Sequence, residues 1–188
     1  MVKNPYHVYI YIMKVELPEF KHCPDCGGKV YVVNAEGRKR PVCCECGRII
    51  YVNPIPAACL VLIDNGRVLL TERAFDPHKG MWCLPGGFLE WGESPQEGAK
   101  RELLEETGIE GLEIELIGVY DSVTGVTRHV ILIAFHIKKW QGILTAGDDA
   151  SDVKWFGLDD IPELAFEVHK QAIRDVLSMK VNNDNSCG

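Results

Sequence analysis

The chain has 188 residues, of which 46% are hydrophobic and 25% are charged. This balance is ordinary for a globular protein, and the length suffices for one sizeable domain and a small module. A net charge of −7 argues against a general binder of nucleic acid or anionic membranes, although a bound metal ion can still bring a nucleotide to an acidic protein. No apolar run reaches the roughly 20 residues that span a bilayer, and the start lacks the pattern of a secretory signal, so we expect a cytoplasmic protein without a membrane partner.

Residues 1–13 are predicted to form an N-terminal extension. They include an apolar run over residues 8–13, which fits either a short strand added to a sheet edge or a loosely attached segment. Met13 directly precedes the first recognisable module and is therefore also a plausible start of the native chain.

The next segment, residues 14–50, is organised around two Cys-x2-Cys pairs, each followed by a glycine. The cysteines are Cys23, Cys26, Cys43 and Cys46. Four thiolates at this spacing suit tetrahedral Zn²⁺ and leave no coordination position open, so we predict a structural zinc ion. Residues 29–34 and 38–42 are predicted strands, and with the cysteines they resemble a zinc ribbon.

Other interpretations of this segment stay open. Two disulfides would satisfy the same cysteines but are rare in cytosolic proteins. Cys44 could replace Cys43 as a ligand, although the spacing favours Cys43. Because the segment is close to neutral, we expect it to pack against the protein or cover the substrate, and nucleic-acid binding is less favoured.

The larger module is predicted to begin with a β-hairpin. Residues 57–63 form a continuous apolar run typical of a buried strand, residues 64–66 form an Asp-Asn-Gly turn, and residues 67–71 form the returning strand. Cys59 and Cys83 have no partner at metal-ligand spacing and are interpreted as buried thiols.

Residues 94–108 carry the signals of a helix at both ends. Ser94 is a good N-cap, and Glu97 three residues later completes a capping box. Pro95 suits the first helical position, and Gly108 suits the left-handed position that ends a helix.

Three glutamates share one face of this predicted helix, within a single turn. They are Glu102, Glu105 and Glu106. Like charges at this spacing repel one another, so we expect a divalent cation to neutralise them. Mg²⁺ prefers oxygen ligands of this kind and usually binds together with substrate phosphates. A solvated acidic face relieved by Lys100 and Arg101 is the alternative.

Residues 87–109 resemble the Nudix box, Gly-x5-Glu-x7-Arg-Glu-aliphatic-x-Glu-Glu-x-Gly-aliphatic. Nine positions match it: Gly87, Glu93, Arg101, Glu102, Leu103, Glu105, Glu106, Gly108 and Ile109. The likeness extends over about residues 51–175. It implies an α+β fold, with a Nudix-type α/β/α sandwich and a mixed sheet over residues 51–180, preceded by the small zinc ribbon.

The resemblance also implies roles for individual residues. The expected ligands of Mg²⁺ or Mn²⁺ are Glu102, Glu105, Glu106 and the backbone carbonyl of Gly86. Glu105 is alternatively the residue that orients the attacking water. Glu93 and Arg101 are expected to form an ion pair that holds the preceding loop against the helix, and Gly87 and Gly108 are expected to be structural.

The chain after the box is predicted to add two long strands, an acidic segment and a helix. The strands cover residues 112–122 and 129–140, and the helix covers about residues 167–179. His169 is interpreted as a residue of the helix face and not as a catalyst. Residues 181–188 are predicted to be a tail.

The acidic segment contains two candidates for a further catalytic carboxylate. Asp149 and Asp152 both precede Trp155 at positions that members of the Nudix family use to complete the metal site or to supply a base. The family usually has Glu there, and Asp is shorter. A solvated acidic turn is the alternative for each residue.

The resemblance implies metal-dependent hydrolysis of a pyrophosphate bond in a nucleoside diphosphate linked to a second group. ADP-ribose or a dinucleotide such as FAD or NADH is the expected substrate. Two markers are absent: the Ser-Gln-Pro-Trp-Pro-Phe-Pro segment of NADH pyrophosphatases, and the proline about fifteen residues past the box in many ADP-ribose pyrophosphatases. Phe88, Trp91 and Tyr120 could stack a base, but we interpret them as buried aromatics.

The alternative is a nucleotide-sensing regulatory module, or one that binds RNA or DNA through the zinc ribbon. Such modules commonly lose glutamates of the box, whereas this chain has all of them. A homodimer is also compatible with the sequence.

Overall fold

The computed structural model describes residues 17–124, 128–147 and 149–184. The predicted extension of residues 1–13 and the end of the predicted tail lie outside these ranges. The chain divides into two compact units that are described separately: a small unit with residues 17–54 and the described part of residues 123–129, and a larger unit with residues 55–122 and 130–184. None of the helices within the described ranges is long and apolar enough to cross a membrane.

The small unit contains an antiparallel hairpin of strands β1 (Val30–Ala35) and β2 (Arg38–Cys43). The two strands agree with the predicted ones to within a residue. A turn precedes β1 and a similar turn follows β2. In the first, the N–H of Gly27 donates to the carbonyl of Cys23, and in the second, the N–H of Gly47 donates to the carbonyl of Cys43. Both glycines have left-handed backbone angles, so these turns explain why a glycine follows each cysteine pair.

The larger unit contains two sheets. In the first, the strand order is β7 (Gly86–Phe88), β3 (Ile55–Val61), β9 (Arg128–Gly142), β8 (Ile109–Thr124). Strand β3 pairs with β9 in parallel and with β7 in antiparallel orientation, so this sheet is mixed. In the second, the order is β10 (Ala150–Gly157), β5 (Arg67–Arg73), β4 (Ile63–Asp64), and β6 (Trp82–Cys83) also pairs with β5.

The apolar run predicted as one strand over residues 57–63 is divided between the two sheets. Strand β3 ends at Val61 and β4 begins at Ile63. Leu62 between them is buried, and its carbonyl accepts the N–H of Leu69. The run is apolar throughout because both of its faces are covered.

Two helices cover opposite faces of the sheets. Ala57, Cys59 and Val61 pack in a core with α2 (Glu167–Asp184). Their alternating neighbours Ala58 and Leu60 pack in a second core with α1 (Pro95–Thr107). Because successive side chains of a strand point to opposite faces, the architecture is an α/β/α sandwich, and the predicted fold class is confirmed. Helix α2 extends to Asp184, beyond its predicted end.

Candidate active site

Helix α1 begins and ends at the residues that the sequence indicates. The hydroxyl of Ser94 accepts the N–H of Glu97 at 3.3 Å, and the carboxylate of Glu97 accepts the N–H of Ser94 at 2.8 Å. Gly108 has a φ of 68° and donates its N–H to Leu104. The buried residues Ala99 and Leu103 fix the rotation of the helix. Glu105 is then exposed, whereas Glu102 and Glu106 face strand β7.

Arg101 uses all five of its N–H donors in the site. It binds both carboxylate oxygens of Glu93, at 3.1 and 2.8 Å, and the carbonyl of Phe88 at 3.2 Å. It also donates to Glu102 at 2.8 Å and Glu105 at 2.9 Å. The hydrogen bonds from Arg101 and then from the N–H of Glu90 lower the pKa of Glu93 to about 2. The loop before α1 is therefore attached to the helix through one guanidinium.

Glu106 lies deepest of the three box glutamates. Its carboxylate accepts the N–H of Gly86 at 3.1 Å and lies 3.5 Å from the hydroxyl of Thr71. Burial raises the pKa of Glu106 to about 8, despite the N–H of Gly86, and the charges of Glu102 and Asp149 act in the same direction as burial. Burial also raises the pKa of Glu102, against the effect of Arg101.

Glycines allow strand β7 to lie against these carboxylates. A Cβ on Gly87 would lie 2.5 Å from the carboxyl carbon of Glu102. A Cβ on Gly86 would lie 2.3 Å from the carbonyl oxygen of Ala58. It is the N–H of Gly86 that contacts Glu106; a role for its carbonyl as a metal ligand stays a prediction.

A cluster of acidic oxygens fits a hard divalent cation by the chemistry of its donors. In this structure Arg101 holds Glu102 and Glu105, and Gly86 holds Glu106. Among the described residues, only the four predicted zinc ligands form a group whose ligand atoms lie close enough together for one ion. The glutamates are therefore near one another but are not arranged around a single point.

The structure brings Asp149 to the glutamates. Its charge raises the pKa values of both Glu102 and Glu106, whose surroundings it therefore shares. Asp152 is engaged elsewhere: one oxygen pairs with Lys154 and the other accepts the N–H of Val153 at 2.8 Å. Of the two candidate aspartates, Asp149 is the one whose charge acts on these glutamates, and its role as a further ligand or base stays a prediction.

Two of the three aromatic residues that were expected to be buried, Phe88 and Trp91, are exposed. Trp91 is fully exposed and Phe88 is exposed to 46%. Phe88 ends strand β7 and Trp91 lies in the loop that follows, which Arg101 holds through the carbonyl of Phe88 and the carboxylate of Glu93. Tyr120 is half-buried, and its hydroxyl donates to Asp175 at 2.7 Å.

Two further residues support the site and were not singled out for it by sequence reasoning. Arg73 donates to the carbonyl of Pro77 at 2.7 Å, and its positive charge lowers the pKa of Glu106, a weaker influence than burial. His169 is buried in α2, and its Nδ1 accepts the N–H of Leu84 at 3.0 Å. Neither residue belongs to a sequence motif or a periodic pattern, so the sequence could not predict these contacts.

The four cysteines of the small unit form the second candidate metal centre. Their sulfur atoms all lie within 4.8 Å of one another, and all four thiols are free of disulfides. The N–H groups of Cys46 and Glu45 lower the pKa of Cys43 to about 7, whereas the pKa values of Cys26 and Cys46 are raised. Cys44 is exposed and lies outside this group.

Comparison with known proteins identifies the family. The NUDIX domain family model matches residues 53–176. An ADP-ribose pyrophosphatase of Methanocaldococcus jannaschii is 36% identical over 166 residues, which cover 85% of this chain and 98% of that protein. A NAD-capped RNA hydrolase NudC of Pseudomonas aeruginosa is 31% identical over 146 residues, covering 77% of this chain and 50% of that protein.

A solved structure agrees with this comparison. A NUDIX hydrolase from Nitrosomonas europaea has a TM-score of 0.67 and 31% identity, and the match covers 82% of this chain and 88% of the other. The chain belongs to the Nudix family. The prediction of a Nudix pyrophosphatase with a cysteine-rich N-terminal element is confirmed at the level of the class.

Proposed function

We propose that this protein hydrolyses the pyrophosphate bond of ADP-ribose, ahead of dinucleotides such as NADH or FAD. The products would be a nucleoside monophosphate and a second phosphorylated fragment. The observation that carries the proposal is that Glu102 and Glu106 lie one turn apart on α1 with raised pKa values, caused first by burial and in part by the charge of Asp149, near the positive charge of Arg73. Carboxylates held this close together are unfavourable unless a cation is bound with them.

The relatives support the order of substrates. The pyrophosphatase of Methanocaldococcus jannaschii named for ADP-ribose matches this chain over nearly its whole length, whereas the chain spans about half of the NudC protein. The absence of the Ser-Gln-Pro-Trp-Pro-Phe-Pro segment also disfavours NADH. The complete set of box glutamates favours an enzyme over a regulatory module.

We assign Glu102, Glu106 and Asp149 to a site for Mg²⁺ or Mn²⁺. A divalent ion there would neutralise the diphosphate oxygens and make a bound water more acidic. Arg101 binds both Glu102 and Glu105 through one nitrogen of its guanidinium. Glu105 is the most exposed of Glu102, Glu105 and Glu106. We assign to it the role of orienting the attacking water, whose proton its carboxylate can accept.

The four cysteines of the small unit are proposed to hold a structural Zn²⁺. Four sulfur ligands match the preference of zinc, and they leave no position for a substrate. The role of this centre is therefore to fold the small unit and not to take part in hydrolysis.

The first experiment is a Mg²⁺-dependent hydrolysis assay with ADP-ribose, NADH and FAD, with AMP measured by chromatography. We expect ADP-ribose to have the highest kcat/KM. Glu106→Gln should lower kcat by about 100-fold or more, because it removes a charge that binds the metal. Circular dichroism should show an unchanged fold.

Glu113→Gln is the matched control, since Glu113 is an exposed glutamate on strand β8 whose carboxylate pairs with Lys139 of strand β9. It should keep the parental rate. Activity of Glu106→Gln within about tenfold of the parent would contradict the metal assignment. Hydrolysis of none of the three substrates would contradict the proposed function.

A further inference from the structure

The connection between β9 and β10 docks on the C-terminal end of α1. The N–H of Thr145 donates to the carbonyl of Thr107 at 2.9 Å, and the N–H of Gly147 donates to the carbonyl of Glu106 at 3.2 Å. The last four carbonyls of a helix have no partner within the helix. The connection therefore supplies two of the hydrogen bonds that the end of the catalytic helix lacks.

This docking requires a glycine at position 147. A Cβ built on Gly147 would lie 2.3 Å from the carbonyl oxygen of Glu105, closer than any real contact, and the opposing atom belongs to a helix backbone that cannot turn away. Gly147 is not among the glycines with a left-handed φ. The constraint is the close approach of two backbones and not an unusual conformation.

The docked connection leads directly to Asp149. The N–H of Ala150 donates to the carbonyl of Gly147 at 2.9 Å, which closes a turn around this residue. The carbonyl of Asp149 accepts the N–H of Ala74 at 3.1 Å, at the end of β5. The backbone of Asp149 is thus fixed between the helix end and a strand end.

The backbone segment that accepts the connection also carries the site glutamates. Glu105 and Glu106 present their carbonyls to the connection, and their side chains belong to the acidic site. Asp149 acts electrostatically on Glu106. The distance between the Asp149 and Glu106 carboxylates therefore depends on how closely the connection approaches the helix.

We propose that Gly147 is a positioning residue for the divalent-cation site, because its missing side chain lets the connection dock and so sets the place of Asp149. The proposal rests on the proposed function in that it takes Asp149 as a ligand of the catalytic ion. Gly147 itself contacts neither ion nor substrate.

The experiment compares Gly147→Ala with the parent protein in Mn²⁺ binding, measured by calorimetry without substrate, and in kcat and KM for ADP-ribose. An added methyl group should push the connection from the helix and weaken Mn²⁺ binding about 10- to 100-fold. The loss in activity should appear in kcat, by a similar factor, with little change in KM. Circular dichroism should show that α1 and the sheets are intact.

The rescue variant distinguishes positioning from a general loss of packing. In the double variant Gly147→Ala/Asp149→Glu, the longer side chain should reach the ion from the displaced backbone and restore most of the Mn²⁺ affinity. Gly157→Ala is the matched control, because Gly157 lies in β10 and a Cβ added there would meet nothing closer than 4.0 Å. It should bind Mn²⁺ like the parent.

A second variant removes the docking without adding bulk. Thr145→Pro lacks the N–H that donates to Thr107 and should weaken Mn²⁺ binding in the same direction, which keeps the proposal testable if Gly147→Ala does not fold. Parental Mn²⁺ affinity in the folded Gly147→Ala protein, or a loss that Asp149→Glu does not restore, would overturn the proposal. If the parent binds Mn²⁺ but cleaves none of the substrates, the proposed function fails while the binding comparison still decides the role of Gly147.

Discussion

Arg101 joins more parts of the candidate site than any other side chain described above. Its guanidinium connects Glu93 and the carbonyl of Phe88 on the loop to Glu102 and Glu105 on the helix. A planar group with five donors can bind several acceptors in fixed directions, whereas a lysine ammonium is a compact point charge with three donors. The arginine of the box therefore has a geometric role in addition to its charge.

Arg101→Lys should keep the charge and lose this geometry. We expect kcat for ADP-ribose to fall by about tenfold or more, because the loop and the two glutamates are no longer held together. Arg174→Lys is the control, since Arg174 is an exposed helix residue paired loosely with Glu167. Equal activity of both variants would show that charge alone suffices at position 101.

His169 is buried and hydrogen-bonded to the chain just before the site, and it should make the stability of the protein depend on pH. Its buried imidazole must be neutral at Nδ1 to accept the N–H of Leu84. Burial, followed by the charge of Arg73, lowers its pKa from 6.5 to about 3. The unfolded chain binds a proton below about 6.5 and the folded protein does not, so stability falls as the pH drops from about 6.5 towards 3.

Urea unfolding of His169→Gln tests this effect. Between about pH 7.5 and pH 5 the parent should lose about 2 kcal/mol of unfolding free energy through this group, and the variant should lose correspondingly less. The glutamine amide can still accept the N–H of Leu84. His22→Gln, at an exposed position of the small unit, should keep the parental pH dependence. An undiminished loss in His169→Gln would assign the effect to another group.

At the scale of elements, α1 was predictable because its limits are set by local chemistry. Ser94, Glu97 and Gly108 make the capping contacts that their types and spacing indicate. The hairpin of the small unit was predictable for the same reason. Short-range hydrogen bonds decide such elements, and the residues that make them are neighbours in the chain.

Strands β6, β7 and β10 were not predicted as strands. The first two have two and three residues, and β7 contains two glycines, so neither can show an alternating pattern. Strands β6 and β7 form because they hydrogen-bond to the edges of the longer strands β5 and β3. The division between β3 and β4 could not be predicted either, because an apolar run that is buried on both faces has the same composition whether it belongs to one sheet or to two.

The cysteine group makes a separate prediction about the small unit. One Zn²⁺ per chain should be found by atomic absorption, and Cys26→Ser should lose it. Hydrogen exchange over residues 17–54 should then become fast, because metal binding supplies most of the folding energy of such a small module.

Cys44→Ser is the matched control for the zinc prediction. Cys44 is exposed, adjacent to a predicted ligand and outside the group of four, so this variant should keep its zinc and its protection from exchange. Loss of zinc from Cys44→Ser, or retention by Cys26→Ser, would contradict the assignment of the ligands.

At the scale of the whole molecule, the candidate site combines parts that are far apart in the chain. The box identifies its own glutamates, since they follow one another on a helix. The different surroundings of Asp149 and Asp152 could not be predicted from the sequence, because they depend on how the connection docks on α1. The contact of Gly86 with Glu106 and the charge of Arg73 also arise from the packing of separate strands.

The run of residues 57–62 serves two cores at once, in strict alternation. Every odd-numbered residue belongs to the core with α2 and every even-numbered residue to the core with α1. Insertion of one residue would exchange the two sets. It would also shift Cys59 relative to Gly86, its partner across the strands, and so carry the glycine away from the carboxylate of Glu106. A change of length in this buried stretch would therefore disturb both cores and the site together, whereas a change in the size of one side chain would act on one core.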